Sequence, residues 1–217
     1  MGETKMDLYE QISVNVQSGN MEETAELTNK ALSQNLMPQA IIDKGLIAGM
    51  SIIGEKYKNH EIFVPEMLIA ARAMNHALTI LEPHMVKGEV SSRGTLVIGT
   101  VKGDLHDIGK NLTAIMFKGA GYRVIDLGVD VSKEAFTKAA EENKADFVGL
   151  SALLSTTMAN MKDIIQTLRE NGITARVLVG GAALTEKYAR EIGADGYAAD
   201  AGSAIEVASQ LSEGQSM

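Results

Sequence analysis

The chain has 217 residues, 45% of them hydrophobic, with 28 acidic against 20 basic side chains and a net charge of -8. That balance, with no basic run, offers little to a phosphate backbone and excludes a nucleic-acid-binding role. With no cysteine there is neither a disulfide framework nor thiolate chemistry, which suits a reducing cytoplasm.

The opening Met1-Gly2-Glu3-Thr4-Lys5 lacks a charged-then-apolar export signal, and no apolar run reaches the roughly 18 residues of a spanning helix. The first half then reads as helices. Leu8, Ile12 and Val16 recur every four positions between Asp7 and Gln17, and Gly19 is a stop. Asn20 caps a second helix, with Glu23 completing a capping-box pattern and Met21, Ala25, Ala31 and Leu32 as its apolar positions. Pro38 starts a third, mostly apolar helix running to about Tyr57, on which Gly45 and Gly49 are spaced for close packing against a neighbour. Pro65 opens a fourth, with Met67, Ala71, Met74, Leu78 and Leu81 on one stripe and Pro83 ending it. Short connections predict an antiparallel four-helix bundle over residues 1–90. Met37, Met50, Met67, Met74 and Met85 read as core filler. His60, His76 and His84 have no metal-ligand spacing, and Phe63 reads as a hydrophobic anchor for the fourth helix. His84 to Arg93, rich in Glu, Ser and Gly, reads as a linker.

From Thr95 the period changes. β-like runs at Thr95–Thr100, Arg123–Asp126, Phe147–Ser151, Arg176–Val179 and, weakly, Gly196–Ala198 alternate with helical runs near Ile108–Lys118, Lys133–Glu142, Met158–Asn171, Glu186–Ile192 and Ser203–Leu211. Such alternation predicts a doubly wound parallel sheet over 91–217, and five strands fit the flavodoxin-like, Rossmann-type order with its switch point between strands one and three. His106 follows strand one and Ser151 ends strand three, so both fall at the ligand crevice of this fold.

The loop after strand one, Gly103-Asp104-Leu105-His106-Asp107-Ile108-Gly109, places a histidine among carboxylates between two glycines. By residue chemistry it is a metal ligand, a general base or a solvated loop. Neither a dinucleotide fingerprint nor a P-loop is present, and Gly180-Gly181 after strand four reads as a turn.

The same loop resembles the G-D-x-H-D-x-G motif of cobalamin-binding proteins, and Ser151-Ala152-Leu153 and Gly180-Gly181 resemble that family's two downstream signatures. The resemblance covers nearly the whole chain. It implies that His106 is the lower axial ligand of cobalt in a base-off cobalamin or related corrinoid, and that Asp104 and then Thr157 form its relay, where several relatives have Ser. It also implies that Gly103, Leu105, Asp107, Ile108 and Gly109 surround the ligand and that Ser151, Leu153 and Ser155 contact the displaced nucleotide tail. Gly180 and Gly181 would floor the tail channel, Tyr197 and Ala198 would close over the tail, and Phe63 would cap the upper corrin face. Helical module plus sheet domain is the layout of small corrinoid proteins of anaerobic methyltransferase systems. In these a non-catalytic carrier cycles between Co(I) and methylcobalamin forms. It takes a methyl group from a donor-specific methyltransferase, for methanol, methylamines, betaines or methoxylated aromatics (O-demethylase type). A second methyltransferase then passes it to tetrahydrofolate or a thiol coenzyme, and a reductive activase restores the carrier. A cobalamin-dependent regulator would add a basic DNA-binding arm and often a Trp, both missing here, and a mutase cobalamin subunit usually lacks the helical half. A zinc hydrolase on His106-Asp107 has no second and third ligand nearby.

Overall fold

The computed structural model describes residues 6–84 and 93–214. One compact unit holds 6–84 together with Gly119–Gly121, and the other holds the remainder of 93–214. No helix among the described residues is long and apolar enough to cross a membrane.

The first unit packs four helical rods. α1 (Leu8–Gln17) starts on a reciprocal capping box: the Glu10 N–H donates to the Asp7 carboxylate at 2.8 Å and the Asp7 N–H to the Glu10 carboxylate at 3.0 Å. α2 (Met21–Ser33) is capped by Asn20, whose Oδ1 accepts the Glu23 N–H at 3.3 Å. Its buried face is Thr24, Leu27, Thr28 and Ala31, whereas Met21, Ala25 and Leu32 of the expected stripe are only half-buried. The threonines tolerate burial because their hydroxyls donate to the Asn20 and Thr24 carbonyls, leaving only methyl groups to pack.

The third rod is α3 (Pro38–Ile41), a π-helical stretch over Ile42–Ile47, and α4 (Ala48–Lys58). The wide π turn leaves no mark in the apolar period and was not anticipated. Gly45 and Gly49 meet α1 as expected: a Cβ on Gly45 would stand 2.9 Å from Ile12 Cγ2, and one on Gly49 2.7 Å from the Ser13 carbonyl oxygen. α5 (Val64–Leu81) buries Met67, Ala71, Met74 and Leu81 together with Ala70, Ala73 and Ala77, with Leu78 half-buried. Met50 is also buried, but Met37, the residue preceding α3, is 71% exposed and fills no core. His60, His76 and His84 are exposed. Met85 and residues 85–92 of the expected linker lie outside the described residues.

In the second unit five parallel strands, β1 (Thr95–Thr100), β2 (Arg123–Asp126), β3 (Phe147–Ser151), β4 (Arg176–Gly180) and β5 (Gly196–Ala198), take the order β2-β1-β3-β4-β5. The helices are α6 (Ile108–Gly119), α7 (Lys133–Glu142), α8 (Ser155–Met158), α9 (Asn160–Glu170), α10 (Glu186–Glu191) and α11 (Ala201–Ser212). Side chains alternate across the sheet. Val97, Val148, Leu150, Val177 and Val179 form one core with Phe136 of α7 and Met161, Ile164 and Leu168 of α9. The intervening positions Leu96, Ile98, Gly149, Leu178, Gly180 and Gly196 belong to the opposite face, which carries three glycines. Registers pair Thr100 with Ser151, Ser151 with Gly180, and Gly180 with Ala198, so four strand ends form one row.

Replacing Gly with Ala inside a helix ordinarily stabilises by about 0.5–1 kcal/mol. Gly49→Ala should do the opposite and lower stability by about 1–3 kcal/mol, because its methyl group meets α1 backbone rather than a yielding side chain. Urea unfolding of the variant beside the wild type checks the sign.

Candidate functional site

The loop from β1 to α6 is bound to its surroundings at almost every residue. The Val101 N–H donates to the Ser151 carbonyl at 3.0 Å, and the Thr100 hydroxyl donates to the His106 carbonyl at 3.0 Å. Asn160 donates from Nδ2 to the Lys102 carbonyl at 2.8 Å. Gly103 sits at φ +80° and its N–H donates to Asp130 Oδ1 at 2.7 Å.

Asp104 is completely buried. Its Oδ1 accepts the His106 N–H at 3.0 Å and lies 2.8 Å from His106 Nδ1. Its Oδ2 accepts the Thr157 hydroxyl at 2.6 Å and the Leu153 and Leu154 N–H groups at 2.9 and 3.3 Å. Burial pushes the carboxyl upward, but the bonds from Thr157, from the His106 backbone and ring, and from Leu153 outweigh it and hold it well below the usual carboxylate range. An ionised carboxylate only accepts, so Nδ1 carries a proton, and in the neutral ring it is Nε2 that keeps the free electron pair. The His106 side chain is half exposed.

That ring stands at a crevice of about 550 Å³ built at the carboxyl ends of β1, β3, β4 and β5. The crevice continues along the glycine-bearing face of the sheet, between α6 and α11. Leu105, His106, Asp107, Ile108 and Gly109 line it from the loop, Ser151 and Leu153 from the end of β3, Gly180 and Gly181 from β4, and Ala198 from β5. Asp104 and Thr157 do not line it; they hold the histidine from behind. Four expected residues lie elsewhere. Gly103 stands at the entry to the loop, before Asp104, and lines no part of the crevice. Ser155 is exposed as the first residue of α8, a helix that begins earlier than the expected Met158. Tyr197 packs its ring on the opposite-face core and donates its hydroxyl to the Leu184 carbonyl at 3.2 Å, because strand alternation turns it away from Gly196 and Ala198. Phe63 belongs to the helical unit, 71% exposed, with its N–H donating to Glu66 at 3.1 Å.

Sequence reasoning missed Lys110, Gly149 and Ala204, which also line the crevice. Gly149 carried a readable signal, a glycine inside an apolar β run. Lys110 carried none, because a lysine in a helix normally reads as surface, yet it is 3% exposed.

The lining fits a large flat group with one metal position. Gly149 and Gly180 put no side chain on the crevice face, and α11 presents Ala201 and Ala204 across from them. A Cβ on Gly180 would stand 3.1 Å from the Ala198 carbonyl oxygen. On Gly181, at φ +135°, a Cβ would fall 1.8 Å from the Ala152 carbonyl oxygen, so only glycine fits there. Among the described residues no three His, Cys, Asp or Glu side chains gather as a metal site, so a metal on His106 must bring its other ligands with it.

The chain is similar to known proteins over nearly its whole length. A family model described as a B12 binding domain matches residues 94–206, and a second of the same description matches residues 8–82. The class is therefore that of B12-binding proteins. A corrinoid protein of Desulfitobacterium hafniense is 42% identical over 211 residues, covering 95% of this chain and 98% of its own. Dimethylamine corrinoid protein 3 of Methanosarcina acetivorans is 39% identical over 206 residues, 94% of this chain and 96% of its own. In the crystal structure of the methanol:cobalamin methyltransferase complex from Methanosarcina barkeri, a chain 29% identical superposes with a TM-score of 0.88, over 98% of this chain and 82% of that one. The chain belongs to the corrinoid protein family, and its cofactor is a corrinoid.

Thr157→Val removes one donor from a buried carboxylate without changing side-chain shape and should cost about 1–3 kcal/mol. The ionised Asp104 stabilises the fold above the unfolded carboxyl range near 3.8, and this stability is lost as pH falls through its lower folded value. With Thr157 gone the folded value rises toward the unfolded one, so the deficit persists from neutral pH down through the ordinary carboxylate range and narrows only as pH falls through the folded values below it. Unfolding free energies from pH 7 to pH 3 check both size and sign.

Proposed function

We propose that the chain is a methyl carrier in a corrinoid-dependent methyltransferase system, with His106 as the lower axial ligand of cobalt. The observation that carries this reading is the Asp104–His106 pair. A buried carboxylate fixes the proton on Nδ1 and leaves Nε2 free at the mouth of a crevice walled by glycines. Relatives named for dimethylamine and trimethylamine, and the methanol:cobalamin methyltransferase complex, support it.

When bound, the corrinoid supplies a cobalt centre that takes up a methyl group and gives it up again. This chain's own residues house that centre and govern its lower ligand. With the proton on Nδ1 held by Asp104, Nε2 donates its electron pair. A proton taken up at Nε2 would use that electron pair, and the resulting cation would stay paired with Asp104. Thr157, by donating to the far carboxylate oxygen, keeps Asp104 ionised and so favours the ligating ring. Leu105 and Ile108, 70% and 76% exposed, offer apolar contact to the corrin edge. Gly103, Asp107 and Gly109 shape the loop. Ser151 and Leu153 meet the nucleotide tail along the channel that Gly180, Gly181 and Ala198 leave open.

The substrate pockets then belong to partners: a donor-specific methyltransferase, a second methyltransferase acting on a pterin or thiol acceptor, and a reductive activase. Residues 1–90 and 91–217 are the two modules of the carrier.

Protein reconstituted with methylcobalamin and desalted should keep its colour with a His-ligated, base-off absorption spectrum. His106→Ala should fold as the wild type does but retain about 10–100-fold less corrinoid, with a shifted spectrum; an unchanged spectrum would overturn the ligand assignment. Gly180→Leu should melt near the wild type yet elute colourless, since its side chain enters the tail channel. Full retention there would remove the channel role.

A further inference from the structure

β2 is an edge strand, and the segment leaving it, Asp126-Leu127-Gly128-Val129-Asp130, supplies nothing to the crevice lining. It is nevertheless laced onto β1: the Leu127 N–H donates to the Ile98 carbonyl at 2.8 Å, the Thr100 N–H to the Gly128 carbonyl at 2.9 Å, and the Val131 N–H to the Thr100 carbonyl at 3.0 Å. Two carboxylates project from this fixed segment: Asp130 ends on the histidine loop itself, and Asp126 on Lys110 in the first turn of α6.

Asp130 holds the entry to that loop. Its backbone is left-handed at φ +55°, a conformation that aspartate tolerates better than most residues. In that pose its carboxylate takes the Gly103 N–H at 2.7 Å while its own N–H donates to the Asp104 carbonyl at 3.0 Å. Asp126 holds the exit. Its two oxygens accept Lys110 Nζ at 2.7 and 2.6 Å, and Oδ1 also accepts the Gly128 N–H at 2.9 Å. The buried Lys110 ammonium donates to Asn111 Oδ1 as well, and Asn111 Nδ2 donates to Asp107 Oδ2 at 3.0 Å. A chain Asp126–Lys110–Asn111–Asp107 thus reaches the residue after His106.

The two grips fall on either side of one ring. Asp104 and Thr157 fix the histidine side chain from the β3 side, whereas from the β2 side Asp130 fixes the backbone before it and Asp126, through Lys110 and Asn111, holds the Asp107 side chain after it. A polar network of this size costs desolvation at Lys110 that a core-filling apolar pair would not. Its bonds end at Gly103, Asp104 and Asp107, not on the core.

We propose that Asp126 and Asp130 are positioning residues for His106: the loop after β2 clamps both ends of the histidine segment and sets how far Nε2 reaches into the crevice. This rests on the ligand role of His106 proposed above. The test is electron paramagnetic resonance of the protein loaded with Co(II) cobalamin, where one axial nitrogen splits each cobalt line into three. That splitting in the wild type, lost in His106→Ala, establishes the ligand itself; its absence from the wild type would overturn the ligand role and the clamp with it. Asp130→Gly accepts the left-handed backbone but removes the acceptor. It should fold, bind the corrinoid, and lower the ratio of nitrogen-split to unsplit signal by about tenfold. Asp130→Asn keeps an acceptor and should restore the wild-type ratio. An unchanged ratio in folded Asp130→Gly overturns the proposal. Should Asp130→Gly fail to fold, Asp126→Asn reads the other end of the clamp through the loss of its ion pair with Lys110, and an unchanged ratio there overturns it equally.

Discussion

A single buried carboxylate organises the second unit. Asp104 has no contact with water, and an ion in that position is tolerated only when its oxygens are met by donors. Two come from His106 and three from the segment after β3, so the charge joins two loops that are about fifty residues apart in sequence. The same bonds that make burial tolerable also fix the imidazole tautomer. Folding stability and the orientation of the imidazole are therefore one problem at this residue, with one solution.

The sheet serves two purposes on its two faces. One is a conventional core of valines and leucines pressed against α7 and α9. The other gives up apolar area at Gly149 and Gly180 so that a group too large for any side chain can lie along it. Because β residues alternate, a strand such as Val148-Gly149-Leu150 can serve both without compromise. The row Thr100, Ser151, Gly180, Ala198 then brings the loops that carry the chemistry to a common level.

Much of this was legible in the residues themselves. The change of apolar period at Thr95 located the sheet, five short runs became five strands, and the switch point put His106 and Ser151 at one crevice. What escaped has physical reasons. The π turn at Ile42–Ile47 preserves apolar spacing, so nothing in the pattern announces it. Thr24 and Thr28 look polar, but their hydroxyls are spent on their own helix and they pack as methyl groups. The family resemblance put Tyr197 over the nucleotide tail, whereas strand alternation turns its ring to the other face. Lys110 is the plainest case: its burial depends on Asp126, sixteen residues away on a different strand, and no local window contains both.

The span of the Asp104–Thr157 bond has a temporal consequence. Its partners are 53 positions apart, and β1 cannot pair with β3 until both have been made. The crevice closes later still, since β4, β5 and the first turn of α11 contribute its far wall. Parallel strands joined by crossovers are inherently slow to assemble, because each closure precedes the contacts that reward it. During synthesis from the amino end the histidine loop therefore emerges long before anything can hold it. The crevice is complete only once the chain through Ala204 of α11 has emerged and folded.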